Sequence, residues 1–365
     1  MPTKAVVHGS GFVSKIEQDG YITVSNSTIK PENKIFLPSW RLDETYKPLE
    51  FFEHIDPGSR ADPKLPNLFP KSANVELKKI SPKFGTEVSN VQLSQLSDEA
   101  KDELALFVAQ RGVVVFRNQD FTSKGPDFIK NYVRYFGPLH IHPTSGGIKN
   151  HPEFHIVYRA PGESDFVANR TSLVQFHSDV SYELQPPGTT FFSVLESPDA
   201  GGDTLFANTV EAYERLSPEF RKRLQGLHVL HSAQEQADSA RQHGGWVKRE
   251  PAANIHPLVR VHPVTGKKAL YVNPQFSRKI VGLKEEESEF LLNFLYDHIS
   301  SSQDLQIRAR WQPNTVVLWD NRITSHSAIF DYVNEVRLAY RVTPQAERVI
   351  DDINNLNKPD QNRVL

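Results

Sequence analysis

The chain has 365 residues, enough to bury a large core in one big domain or two ordinary ones. Its 42 lysines and arginines against 44 aspartates and glutamates leave a net charge of −2, so no global field favours nucleic acid or an anionic membrane, and any anion must be caught by local arginines. There is no cysteine, which excludes disulfides, thiolate nucleophiles, iron–sulfur clusters and cysteine-rich zinc modules; a metal here would be held by nitrogen and oxygen.

Residues 1–75 are interrupted by Pro57-Gly58, Pro63, Pro66 and Pro70 and are expected to wrap over a core as an extension. Residues 1–20 lack the apolar core of a secretory signal, and no stretch approaches the roughly 18 apolar residues of a membrane span. A cytoplasmic protein is therefore expected; the terminal Arg363-Val364-Leu365 is only a loose relative of the peroxisomal Ser-Lys-Leu address. His54-Ile55-Asp56 has metal-ligand spacing but runs straight into Pro57-Gly58 and reads as a surface turn.

From Val75 the pattern becomes regular. Ser97 is a good N-cap for a helix with Leu104, Phe107 and Val108 as its apolar stripe, closed by Arg111-Gly112. Val113–Phe116 has the length and apolar continuity of a buried strand, and Lys124–Phe136 reads as a helix stopped by Gly137-Pro138. Alternation in Leu139-His140-Ile141-His142-Pro143 puts both histidines on one face, either of a polar strand edge or of a pocket wall. The polar stretch 161–171 has the character of a lid.

Further on, strands are expected at Thr189–Leu195, Leu205–Ala207, Val259–His262, Ala269–Val272, Val316–Trp319 and Val336–Val342. Helices are expected from Ser217-Pro218 to Gly226 and over Glu285–His298, the latter with Phe290, Leu291, Phe294 and Leu295 inward; residues 232–254 read as irregular. Many short strands, a few helices and no repeat point to a mainly β (α+β) protein, a double-stranded β-helix or jelly-roll barrel with helices packed outside.

Two constellations carry chemistry. In Gln175-Phe176-His177-Ser178-Asp179, His177 and Asp179 sit at i and i+2, so on an extended chain they share a face, and His326 follows 149 residues after His177. Two imidazoles and one carboxylate leave one side of a metal open, the arrangement of non-haem Fe(II) oxygenases. In Val336-Arg337-Leu338-Ala339-Tyr340-Arg341-Val342, period 2 puts both guanidiniums on one face beside the small Ala339. Facing a barrel interior they would need anions; facing solvent they would pair with Asp331 and Glu335.

The ordered set His177-x-Asp179, Gly201-Gly202-Asp203-Thr204, Trp311, Trp319-Asp320-Asn321-Arg322-x-Thr324-x-His326, Arg337 and Arg341 resembles the taurine dioxygenase family of Fe(II)/2-oxoglutarate-dependent dioxygenases, in particular its fungal sulfonate dioxygenase-like members, over roughly residues 76–346. The resemblance implies that His177, Asp179 and His326 bind Fe(II), and that Thr204 and Arg337 hold the distal carboxylate of the cosubstrate 2-oxoglutarate. It gives Arg341 and His142 the substrate sulfonate, with Phe276 walling the pocket. Trp319 and Phe206 would pack around the cosubstrate or serve as ordinary core.

Residues 1–75 would then be an N-terminal extension, 76–346 the dioxygenase domain and 347–365 a tail. With O2 as oxidant, the implied reaction hydroxylates the carbon next to sulfur, releasing sulfite and an aldehyde with succinate and CO2, a route to sulfur from organic sulfonates. Taurine-specific members carry a Tyr three residues beyond the position of His142 and an Asn four residues before the first iron ligand; Ser145 and Leu173 stand there in this chain, which favours a less polar or larger sulfonate.

The same cofactors acting on a carboxylate, sulfate ester or biosynthetic intermediate remain an alternative, as do a zinc hydrolase and a non-catalytic binding module. The expected partner is a small anion, with no nucleic acid and no membrane. A homo-oligomer, dimer or tetramer, is expected.

Overall fold

The computed structural model describes residues 14–159, 174–242, 244–332 and 335–358, with Ser14–Ile16 as backbone only. The stretch 161–171, Leu173 and the C-terminal tripeptide lie outside the described residues. A small N-terminal sheet of β1 (Ser14–Ile16), β2 (Tyr21–Val24) and β3 (Ser39–Arg41) precedes the main architecture.

The larger sheet is built from β4 (Glu76–Lys79), β5 (Thr86–Ser89), β6 (Val113–Phe116), β7 (Phe154–Arg159), β8 (Thr189–Glu196), β16 (Thr315–Asp320) and β18 (Arg337–Val342), in the order β4-β5-β6-β16-β8-β18-β7. A three-stranded sheet joins β15 (Gln306–Ala309), β9 (Thr204–Asn208) and β17 (Thr324–Ala328) in that order. Beside these lie a third sheet of β10 (His228–Ser232), β11 (Ala253–Pro257) and β14 (Ser277–Ile280), and a hairpin of β12 (Val259–Val261) and β13 (Lys268–Leu270). The helices are α1 (Asp98–Arg111), α2 (Pro126–Arg134), α3 (Thr209–Glu214), α4 (Pro218–Leu224), α5 (Gln234–Gln242) and α6 (Glu285–Ser301). The protein is thus sheet-dominated with flanking helices, and among the described residues no helix is long and apolar enough to cross a membrane.

Strand periodicity divides the large sheet into two faces. Val114 and Phe116, Phe191 and Leu195, Val316 and Leu318, and Leu338, Tyr340 and Val342 turn outward into one core with α1 and α2. Their alternates Val113, Val115, Phe192, Val194, Val317, Trp319 and Ala339 turn inward and meet Phe206, Ile307 and Ala309 from the three-stranded sheet. Arg337 and Arg341 share the parity of Ala339, so the chain cannot bury Leu338 and Tyr340 against the helices without turning both guanidiniums inward.

Most expected elements are present, with informative differences. Ser97 caps α1 by accepting from the Ala100 amide. Lys124 lies in a single 3-10 turn, and α2 starts only at Pro126, after Gly125 at φ 85°. The segment expected to be irregular contains α5 and the first two residues of β11; α5 is illegible because it buries only Ala237 and is polar all round. On α6 the inward positions are Ser288, Leu292, Leu295 and Ile299, while Phe290 is 78% exposed, so the apolar face is rotated from the expected one. Leu139–Pro143 forms no strand, only one bridge from Leu139 to Pro344, although both of its histidines are buried.

The reading of His54-Ile55-Asp56 as a surface turn is corrected. His54 and Asp56 are buried, and Asp56 accepts from the Gly58 amide at 2.7 Å and from Arg322 Nη1 at 2.6 Å. The N-terminal segment is bonded to the body elsewhere too: Ser39 and Gly147 exchange backbone hydrogen bonds, and the Tyr46 amide donates to the Lys248 carbonyl. Trp40 lies so close over Gly146 that a Cβ there would meet its ring at 2.7 Å.

Candidate active site

His177 and His326 face each other as a backbone-paired bridge, each amide donating to the other's carbonyl, at 2.9 and 2.8 Å. Their ring centroids lie 4.2 Å apart, and each Nε2 is 3.6 Å from Asp179 Oδ1. One donor atom from each of the three falls within 4.8 Å of the others. His177 Nδ1 is 2.9 Å from the Gln175 carbonyl. A carbonyl can only accept, so Nδ1 carries the proton and Nε2 turns its lone pair to the cluster, the tautomer a metal requires. Burial and the nearby Arg341 guanidinium lower the pKa of His326 to about 3 despite Asp179, so this imidazole is neutral. For Asp179 burial disfavours the charge, but the Arg341 guanidinium beside it leads the influences that outweigh burial and hold the carboxyl well below its usual range.

The turn that carries the chain from β16 in the large sheet to β17 in the three-stranded one fixes this cluster from beneath. Asn321 Oδ1 accepts from the Asp179 amide at 2.7 Å and its Nδ2 donates to the Asp179 carbonyl at 3.0 Å, holding the ligand backbone by both ends. On either side, Asp320 accepts from Arg322 Nε at 2.8 Å and Nη2 at 2.7 Å, and Arg322 Nη1 also reaches Asp56 and Glu347. Arg260 closes the lattice on Glu347 at 2.8 Å. Val180, directly after Asp179, is held at φ 41°, which costs a β-branched residue on the order of 1–3 kcal/mol. Its packing with Tyr182, Ala233 and Phe276 over-determines that conformation. Nothing in the sequence signals it.

Across the cavity, Gly201 and Gly202 adopt φ 86° and 69°, and the Gly202 amide donates to Asp331 Oδ1. A Cβ on Gly201 would meet that oxygen at 2.5 Å, so the turn that feeds Thr204 into β9 requires glycine. Thr204, Trp319, Phe206 and Arg337 line the same cavity, of about 210 Å³. Arg337 is 2% exposed, and its Nε and Nη1 have no hydrogen-bond partner. Asp331 and Glu335 do not pair with the two arginines: they receive the Gly202 and Asp199 amides, and Asp331 also takes Arg308.

Arg341, His142 and Phe276 line this cavity as well, so it gathers every residue the sequence proposed for metal, cosubstrate and substrate. Arg341 Nη1 donates to Asp179 Oδ1 at 2.6 Å. Phe276 stands edge-on to His177 at 6.3 Å, its amide held by Asn273 Oδ1. The companion His140 is not a cavity residue; it bonds Glu183, which Arg249 also grips.

Sequence reasoning missed His155 and Phe330, which line the cavity, and Lys248, which is buried nearby. His155 was legible in principle, since Phe154 and Ile156 on either side of it belong to the outer core, which forces it inward. Burial pushes His142 and His155 well below the usual imidazole range, helped by Arg341 and Lys248, so both rings are neutral.

The descriptive family model for taurine catabolism dioxygenases, TauD/TfdA, matches residues 76–343, and the chain belongs to that family. It is 56% identical over 328 residues to the alpha-ketoglutarate-dependent sulfonate dioxygenase of Saccharomyces cerevisiae, covering 88% of this chain and 80% of that one. It is 46% identical to the alpha-ketoglutarate-dependent dioxygenase cnsP of Penicillium expansum, covering 86% of each. Among solved structures, a taurine dioxygenase from Burkholderia xenovorans superposes with a TM-score of 0.61 at 28% identity, covering 75% of this chain and 90% of that one.

The family implies iron and 2-oxoglutarate, and the residues present fit both. Asp179 Oδ2 is buried without a partner beside two histidine nitrogens, and Arg337 offers two unpartnered N–H groups in the same cavity. A cation and a carboxylate would satisfy these groups.

Proposed function

We propose that the protein is an Fe(II)/2-oxoglutarate-dependent dioxygenase that hydroxylates the carbon next to sulfur in an organic sulfonate. Sulfonate, O2 and 2-oxoglutarate become an aldehyde, sulfite, succinate and CO2. His177, Asp179 and His326 would hold the iron, and Arg337 with Thr204 the distal carboxylate of 2-oxoglutarate. When bound, iron and 2-oxoglutarate supply the activation of O2 and the two electrons from oxidative decarboxylation.

The chain's own contribution is placement and exclusion. Asn321 fixes the Asp179 backbone, Arg341 fixes the anionic end of the substrate, and the apolar walls of Phe192, Phe206 and Phe276 keep bulk water from the reacting carbon. The two sheets would close as a jelly-roll barrel around this site, with residues 76–346 as the catalytic unit and 1–75 as an extension bracing its substrate end.

The observation that carries the reading is Arg337, a buried guanidinium with unsatisfied donors beside a three-residue metal cluster. The sulfonate assignment draws on similarity to the yeast enzyme and on charge. Among the described residues the charged side chains lining the cavity are Asp179, Arg337 and Arg341, a surplus of one positive charge. Fe(II) and dianionic 2-oxoglutarate offset one another, so the positive lining, with Lys248 buried nearby, favours an anionic substrate over zwitterionic taurine. The test is sulfite release with succinate assayed in parallel, from protein given Fe(II), ascorbate, 2-oxoglutarate, O2 and a panel of sulfonates, sulfate esters and carboxylates. Sulfite and succinate in equal amounts are expected. Substrate-stimulated succinate without sulfite discards sulfonate cleavage.

A further inference from the structure

At the substrate end of the cavity the Ser145 amide donates to His142 Nδ1 at 3.1 Å. A second histidine lines the same end. His155 on β7 is paired directly opposite Arg341 on β18, so the two side chains are neighbours on the inner face. Arg341 Nη2 lies 3.0 Å from His155 Nδ1. A guanidinium has no acceptor, so it donates, Nδ1 is bare, and the single ring proton of His155 is on Nε2.

The same reasoning fixes the other ring. His142 Nδ1 receives the backbone amides of Ser145 and Thr144, at 3.1 and 3.3 Å, so its proton is also on Nε2. The rings stand edge to face with centroids 4.5 Å apart. Neither Nε2 has a hydrogen-bond partner among the described residues, and both rings line the cavity with Arg341. Two neutral imidazoles, each offering one N–H, and one guanidinium converge at this end.

We propose that His155 is a specificity-determining residue: with His142 and Arg341 it forms a three-donor receptor for a tetrahedral –SO3⁻ group, which selects sulfonates or sulfate esters over carboxylates. The inference rests on the function proposed above and extends it to how the substrate class is chosen. The three oxygens of –SO3⁻ are set in a pyramid and can each take one donor, whereas the acceptor sites of a carboxylate all lie in one plane, so a donor outside that plane is left poorly bonded. An unsatisfied buried donor corresponds to about 10–100-fold in affinity.

The test uses the Fe(II)/2-oxoglutarate-loaded protein with 1-pentanesulfonate, pentyl sulfate and hexanoate, which present –SO3⁻ or –COO⁻ on similar chains. Anaerobic calorimetry measures affinity, and aerobic assays follow sulfite, sulfate and succinate. His155→Leu is expected to weaken pentanesulfonate about 10-fold or more, and hexanoate by much less. His155→Gln, whose amide can donate, is expected to recover part of the loss.

Equal losses for sulfonate and carboxylate, or no loss for either, overturn the receptor, as does a wild-type protein that binds no –SO3⁻ compound. His155-dependent binding without sulfite release supports the receptor and sinks the sulfonate-cleaving reaction. Sulfate release from the ester, in place of sulfite from the sulfonate, supports the receptor and names its ligand.

Discussion

Two arginine pairs, Arg322 with Arg260 and Arg337 with the partly buried Arg341, are treated in opposite ways in this fold. Arg322 and Arg260 meet three carboxylates, Asp56, Asp320 and Glu347, so that anions outnumber guanidiniums in the lattice beneath the β16–β17 turn. Arg337 and Arg341 face a cavity in which Asp179 is the one carboxylate among the described residues; Arg260 and Arg337 each have two unpartnered nitrogens, but only Arg260 has a carboxylate in an ion pair. Burying a guanidinium without an anion costs several kcal/mol on the order expected for an unpaired ion. Where the chain supplies the anions, the arginines fasten the N-terminal segment and residue 347 to the turn under the metal cluster. Where it withholds them, the energy left unspent by the fold is available to a ligand.

The contrast is broken most severely at Arg322. Arg322→Met removes the cation shared by three buried carboxylates and is expected to lower stability by about 3–5 kcal/mol, read as a clear drop in thermal midpoint. A midpoint unchanged from wild type contradicts a structural role for the lattice. Arg337→Met is expected to do the reverse. The metal-free protein should keep or raise its thermal midpoint, since an unpaired buried charge is gone, while the KM for 2-oxoglutarate rises by about 100-fold, roughly 2.8 kcal/mol. A destabilised Arg337→Met with normal cosubstrate affinity would reassign that residue to the fold.

How far the sequence could reveal these two regions depends on the range of the forces involved. Period 2 alone places Arg337 and Arg341 on one face, and His177 with Asp179 announces the metal cluster, because those signals are local. The lattice was invisible for the opposite reason: Asp56, Arg260, Asp320 and Glu347 are scattered from the N-terminal segment to residue 347, and Asp56 looked like part of a polar turn. The rotated face of α6 and the polar α5 failed similarly, since tertiary contacts decided which side was covered. Strands with four or more apolar residues, such as Val113–Phe116, were legible because no other element can bury them on both faces.

A third arginine–carboxylate site tests whether the pairing principle extends beyond these two. Glu183 takes both Arg249 and His140; burial raises its carboxyl, but those hydrogen bonds outweigh burial and leave it at about 2. Its folded value lies below the unfolded one, so its stabilisation is complete above roughly pH 4.5 and is lost as pH falls towards about 2. Glu183→Gln should therefore begin less stable than wild type at neutral pH, and the gap between their stability curves should narrow across that acid window. A gap that stays constant with pH contradicts the ionised pairing.

The smallest expected effect lies between the two arginine regions, at Asn321, which belongs to the lattice turn yet acts on the cavity. It carries no charge and touches Asp179 only through that residue's backbone amide and carbonyl. Asn321→Ala leaves every carboxylate and guanidinium of the lattice in place, so the fold should survive with a loss of about 1–2 kcal/mol for the two hydrogen bonds. Partners that orient a metal ligand from behind typically contribute about 10-fold or more to metal affinity. A roughly 10-fold rise in the Fe(II) concentration needed for half-maximal activity, with the KM for 2-oxoglutarate little changed at saturating iron, is the expected result. If instead that concentration is unchanged while stability falls, Asn321 serves only the turn, and the lattice does not extend its ordering to the metal cluster.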